Sequence, residues 1–119
     1  MRSLLAAGVK VSLATDNVPI SNFLPVSQTI LRTSYVTKQR VAPEQALTRM
    51  EALRCATADG AYLTFDETKR GTLEVGKYAD LAVLSADPLT VEESRIEGLT
   101  SLMTMVGGPT VHETRNWAG

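Results

Sequence analysis

The residues that most often build metal or disulfide sites are scarce in this sequence. Among 119 residues there is one cysteine, Cys55, and one histidine, His112. A single cysteine excludes an intrachain disulfide and a cysteine-rich zinc site, and a lone histidine supplies too few metal ligands. We therefore expect His112 to be structural or exposed, and Cys55 to be a packing residue in a helix.

The sequence also has no excess of charge of one sign and no long apolar run. The net charge is -1, and charged residues make up 21% of the chain. This balance offers no electrostatic attraction for nucleic acid or an anionic membrane surface. No apolar stretch approaches the length needed to span a bilayer. The hydrophobic fraction of 44% is typical of a soluble globular protein, which we expect to be cytoplasmic and without nucleic-acid or membrane partners.

The stretch KVSLATDNVPIS (residues 10–21) contains the first candidate for chemistry. Residues 9–15 are apolar or small on both faces, which predicts a strand covered on both sides, as in the parallel sheets of α/β proteins. Asp16 then falls at the carboxyl end of this strand, where barrels and open sheets hold their active sites. It is a candidate metal ligand or general base. The alternative is that Asp16 only caps the following loop, because Asp is common at turns.

Helical periodicity before residue 65 gives way to apolar runs after residue 72. The glycine pair GG at 107–108 predicts the turn of a hairpin over residues 99–113, and a further strand is expected over 79–86. The fold class predicted is α+β: one barrel-type strand, two or three helices, then an antiparallel partial sandwich of three or four strands. The predicted helices cover residues 2–7 (ending at Gly8), 26–36, a segment beginning at Pro43, and 56–63.

Four blocks of the sequence resemble the metal-dependent amidohydrolases. GVKVSLATDNVP resembles the eighth barrel strand with its catalytic aspartate, and APEQALTRMEALRCATADGAYL the helical pair that follows. GTLEVGKYADLAVL resembles the segment that re-enters the small β-sandwich domain, and MTMVGGPTVHE its closing hairpin. The blocks keep the family's order, and YLTFDETKRGTLEVGKYADLAVL looks closest to the branch with formamide and N-acyl amide hydrolases. The resemblance implies two parts: residues 1–65, the C-terminal end of a TIM-type catalytic barrel, and residues 66–119, the C-terminal part of the sandwich.

The resemblance also implies roles for three residues. Asp16 would be the last catalytic residue of the barrel, binding a divalent metal, often zinc, and accepting a proton from metal-bound water. Asn17 and Pro19 would lie in the loop that borders the substrate. The family's histidines from the first, fifth and sixth strands and its bridging ligand from the fourth have no counterpart here. The sequence therefore resembles the last third of an amidohydrolase, and we expect no tightly bound metal on this chain alone.

The function predicted is that of a C-terminal portion of an enzyme that hydrolyses an amide or related C–N bond with metal-activated water. The portion alone would be inactive. The alternatives are a stand-alone binding domain and a non-catalytic assembly subunit that docks with a separate chain bearing the histidines. The expected partners are the remainder of the barrel or a second copy, together with a small-molecule amide substrate.

Overall fold

A computed structural model of the protein describes residues 1–16, 21–34 and 36–115. It contains short helices followed by a three-stranded antiparallel sheet, so the predicted α+β class is confirmed. The α-helices are α1 (Arg2–Ala6), α2 (Phe23–Leu31), α3 (Arg49–Ala56) and α4 (Ala58–Leu63), and 3₁₀ helices cover Pro43–Gln45 and Glu93–Gly98. The strands are β1 (Leu81–Leu84), β2 (Ser101–Met105) and β3 (Thr110–Glu113).

The helix predicted to begin at Pro43 begins later. Pro43 opens a single 3₁₀ turn, after which the backbone becomes extended. The α-helix starts behind Thr48, whose hydroxyl accepts a hydrogen bond from the backbone N–H of Glu51 at 3.3 Å. The Glu51 carboxylate in turn accepts from the backbone N–H of Thr48 at 2.7 Å. This reciprocal capping box satisfies amides that the first turn leaves unpaired, and it decides where α3 begins.

The helix predicted over residues 26–36 is shifted toward the N-terminus. It begins at Phe23, and Pro25 lies in its first turn, where the missing N–H of proline leaves no hydrogen bond unmade. It stops at Leu31 because Arg32 adopts a left-handed conformation with φ 53°. The predicted start at residue 26 and the predicted end at residue 36 were therefore wrong.

Residues 9–16, which we call the aspartate segment, do not form the predicted strand. They carry no strand assignment, and the backbone N–H of Leu13 donates to the carbonyl of Cys55 in α3 at 3.0 Å instead of to a neighbouring strand. A strand exists only when another backbone pairs with it. The described residues place none beside this segment.

The sheet has the order β1-β2-β3 with both pairs antiparallel. Val83 pairs with Met103, which in turn pairs with Glu113, so β2 is the central strand. Asp80 accepts a hydrogen bond from the backbone N–H of Gly107 at 2.7 Å and ties the start of β1 to the hairpin turn. The described residues form no second sheet, so the second layer of the predicted sandwich is not found among them.

The core lies between α2, α3 and the 93–98 helix, with the sheet at its side. Ile96 and Val26 are among the most deeply buried side chains, whereas every residue of β3 is exposed. In the ranges that the structure describes, no helix is long and apolar enough to cross a membrane. The buried core cluster consists of Val26, Ile30, Leu47, Ala52, Cys55, Ile96 and Leu99.

Candidate functional site

Asp16 ends the aspartate segment and is exposed to solvent. Earlier in the segment, Val11 and Leu13 are half-buried and pack against the core cluster. The segment therefore lies on the helical layer through its apolar side chains, and Asp16 remains accessible to solvent. Asn17 and Pro19, predicted to border the substrate, lie outside the described residues.

A buried acidic residue next to the segment was not predicted as part of a site. Asp59, in the first turn of α4, is 4% exposed, and its Oδ1 lies 3.8 Å from Lys10 Nζ and 3.5 Å from Arg54 Nε. Lys10 Nζ also lies 5.8 Å from the centre of the Tyr62 ring. No local pattern in the sequence singles out Asp59, because an acidic residue in the first turn of a helix is ordinarily exposed.

Cys55 is buried, as predicted, with 1% of its surface exposed. Burial raises the pKa of its thiol, and the neighbouring Asp59 carboxylate raises it further. Both effects disfavour the thiolate, which is the nucleophilic form. Cys55 is therefore a packing residue whose thiol stays protonated at neutral pH.

A cleft of about 830 Å³ lies between the helices and the sheet. Phe23, Leu53 and Leu81 give it a largely apolar wall, and Arg70 and Asp80 stand at its lining. Asp16 is not one of the described residues that line this cleft. This cleft and the predicted catalytic residue thus lie in different places.

The residues that the structure describes do not complete a metal centre. No group of three or more His, Cys, Asp or Glu side chains within the described ranges is placed to share a metal ion. His112 is exposed on β3, where it pairs with Thr104 of β2. Asp16 fits the donor chemistry of one metal ligand, but a closed zinc site needs three or four.

The sequence profile of the Amidohydrolase family matches residues 1–112, so the chain belongs to the amidohydrolase family. The predicted resemblance is therefore confirmed. An N-substituted formamide deformylase from Arthrobacter pascens is 34% identical over 110 residues, which is 91% of this chain and 20% of that protein. An imidazolonepropionase from Micrococcus luteus is 38% identical over 85 residues, or 71% of this chain and 20% of that protein.

A 5-methylthioadenosine/S-adenosylhomocysteine deaminase from Thermoanaerobacter pseudethanolicus is 31% identical over 84 residues, which is 71% of this chain and 20% of the deaminase. The chain thus spans about a fifth of the length of these relatives.

Proposed function

We propose that this chain is the C-terminal portion of a metal-dependent amidohydrolase that hydrolyses an amide or related C–N bond. The observation that carries the proposal is the family match over residues 1–112. The relative named N-substituted formamide deformylase, aligned over 91% of the chain, makes N-substituted formamides the first substrates to test. Because the described residues supply too few metal ligands, the chain alone is expected to be inactive.

The proposal divides the chain into two parts. Residues 1–65 would be the last strand and helices of a TIM-type barrel, and residues 66–119 the C-terminal part of a small β-sandwich. The change from helices before residue 65 to strands after residue 80 supports this division. The aspartate segment would become a barrel strand once neighbouring strands lie on both of its edges.

Asp16 would act as a metal ligand and as the acceptor of a proton. A divalent metal, zinc in this proposal, lowers the pKa of a bound water toward neutrality. The Asp16 carboxylate would take a proton from the attacking water and deliver it to the leaving nitrogen, which is general acid–base catalysis. Its exposed position at the end of an apolar segment supports this role. Asn17 and Pro19 would contact the substrate beside it.

A second candidate is a non-catalytic assembly subunit that docks with a separate chain bearing the other ligands. The lack of a three-ligand group among the described residues favours it. In either case the proposed partner of this chain is the remainder of a barrel or a second copy of the chain. The proposed substrate of the active assembly is a small amide, and the proposed location is the cytoplasm. Nucleic acid and membranes are not among the proposed partners.

The test is Asp16→Asn in the full-length protein, assayed on N-substituted formamides and simple amides. The amide keeps the shape of the side chain but cannot accept the proton, so kcat should fall by about 10² to 10⁴-fold. Glu97→Gln removes the same charge at an exposed position of the 93–98 helix and serves as the matched control. Circular dichroism checks that both variants fold. A variant that retains near-normal kcat at position 16 would show that the role assigned to Asp16 is wrong.

A further inference from the structure

The aspartate segment is attached to α3 and α4 by contacts that lie close together along the chain. Lys10 Nζ lies 3.8 Å from the Asp59 carboxylate and 5.8 Å from the centre of the Tyr62 ring. Three residues later, the backbone N–H of Leu13 donates to the carbonyl of Cys55 at 3.0 Å. Both attachment points precede Asp16 on the same short segment.

Close packing at α4 accompanies these contacts. A Cβ atom added to Gly60 would stand 3.4 Å from the hydroxyl oxygen of Ser12. The segment thus passes near the helix at a residue without a side chain, between its two attachment points. Ser12 therefore lies beside α4, between the attachment points at Lys10 and Leu13.

The Asp59 carboxylate depends on its cationic neighbours. It is 4% exposed, and a buried carboxylate is unfavourable unless it is paired. Arg54 and Lys10 provide the pairing, and their side chains are 62% and 43% exposed. Arg54 belongs to α3, the helix directly before α4, and makes no ion pair with the aspartate segment in the described structure. Lys10 is thus the partner through which Asp59 acts on that segment.

We propose that Asp59 is a positioning residue: by binding Lys10 it holds the aspartate segment on α4 and so sets the location of the Asp16 carboxylate. The inference rests on the proposed function of Asp16. Asp16 is only three residues beyond Leu13, so loosening of the segment displaces the carboxylate directly. A misplacement of about 1 Å at a reacting group can lower the rate by about 10²-fold.

The structural part is tested on the 119-residue chain by amide hydrogen exchange. Lys10→Met removes the ion pair and keeps the apolar stem, so the Leu13 amide should exchange about two- to fivefold faster, as expected for a partly exposed pair. The Ala52 amide, which donates to the carbonyl of Thr48 inside α3, should not change. Arg54→Met is the matched control, since it removes the other cation of Asp59, and it should affect Leu13 less. Lys10→Arg should restore slow exchange.

Two results would overturn this part of the proposal. One is unaltered exchange of Leu13 in Lys10→Met. The other is an equal acceleration in Arg54→Met, which would mean that Asp59 stabilises the helices in general and not the segment.

The catalytic part is tested in the full-length enzyme. Lys10→Met should lower kcat by about 10- to 100-fold with little change in KM, because the misplaced group acts in the chemical step, and Lys10→Arg should recover most of the loss. If Asp16→Asn leaves kcat unchanged, the proposed function fails while the exchange result stands. If Asp16→Asn inactivates the enzyme and Lys10→Met keeps its full kcat, the positioning role is refuted and the proposed function stands.

Discussion

The aspartate segment and β1 are both short apolar stretches, yet only β1 is a strand. β1 pairs with β2 along its length, and the pairing continues where Ser85 donates to the carbonyl of Thr100 at 2.9 Å. The aspartate segment instead donates from Leu13 to a helix. An apolar pattern thus makes a stretch of chain suitable for a sheet. The stretch becomes a strand only when a neighbouring backbone forms hydrogen bonds with it.

The two regions differ in burial as well. The connection that follows β1 places Ile96 and Leu99 in the core, at 1% and 6% exposure. In the aspartate segment, Val9 is 48% exposed and Val11 is half-buried. We therefore expect β1 and the connection that follows it to contribute much more to the free energy of unfolding than the aspartate segment does.

The largest expected effect contrasts these side chains. Ile96→Ala should lower the free energy of unfolding by about 2 to 5 kcal/mol, because it leaves a cavity between α2 and the 93–98 helix. Val11→Ala removes a smaller and partly exposed side chain and should cost about 1 kcal/mol or less. Urea denaturation of both variants measures the difference. Equal losses of unfolding free energy in the two variants would mean that the aspartate segment is as firmly packed as the 93–98 helix.

The next contrast concerns the backbone. Met103→Pro breaks a hydrogen bond in the central strand and leaves a carbonyl unpaired, so it should cost about 2 to 4 kcal/mol. Ala14→Pro, in the aspartate segment, should change stability by about 1 kcal/mol or less, since the Ala14 N–H donates no backbone hydrogen bond within the described structure. The same denaturation experiment applies. A large loss in Ala14→Pro would show that the segment pairs as a strand in solution.

The smallest effect is expected at the N-terminal cap of α3. Thr48→Ala should cost about 1 kcal/mol at neutral pH, because it removes half of the capping box. The pKa of Glu51 is lowered, first by its hydrogen bond from the backbone N–H of Thr48 and then by the Thr48 hydroxyl. A lowered carboxyl pKa gives stability that is present above the ordinary value of 4.5 and lost as the pH falls through the folded value.

The difference between wild type and Thr48→Ala should therefore shrink when unfolding is measured at about pH 3 instead of pH 7. Thr68→Ala, at an exposed turn position, is the control and should show no such pH dependence. A difference that stays constant down to low pH would mean that Glu51 does not contribute to the cap.

Local rules predicted several elements correctly. Gly8 adopts a left-handed conformation after α1, with φ 78°, and Gly107 and Gly108 form the hairpin turn with positive φ. The strand Leu81–Leu84 lies inside the predicted range. Each of these depends on neighbours within a few residues, which the sequence shows directly. The start of α3 was also visible in TRME, but the proline at 43 was a competing signal.

The burial of Asp59 could not be predicted, because it depends on which surfaces the folded chain brings together. Lys10 and Asp59 are far apart in sequence, and their contact exists only once the aspartate segment lies on α4. The short-range preferences of glycines, caps and turns act wherever those residues occur, so the sequence largely determines the turns and the hairpin by itself. A strand needs a second backbone to pair with, and a buried charge needs a second surface to cover it. Only the tertiary structure decided that β1 has such a neighbour and that the aspartate segment lies on a helix instead.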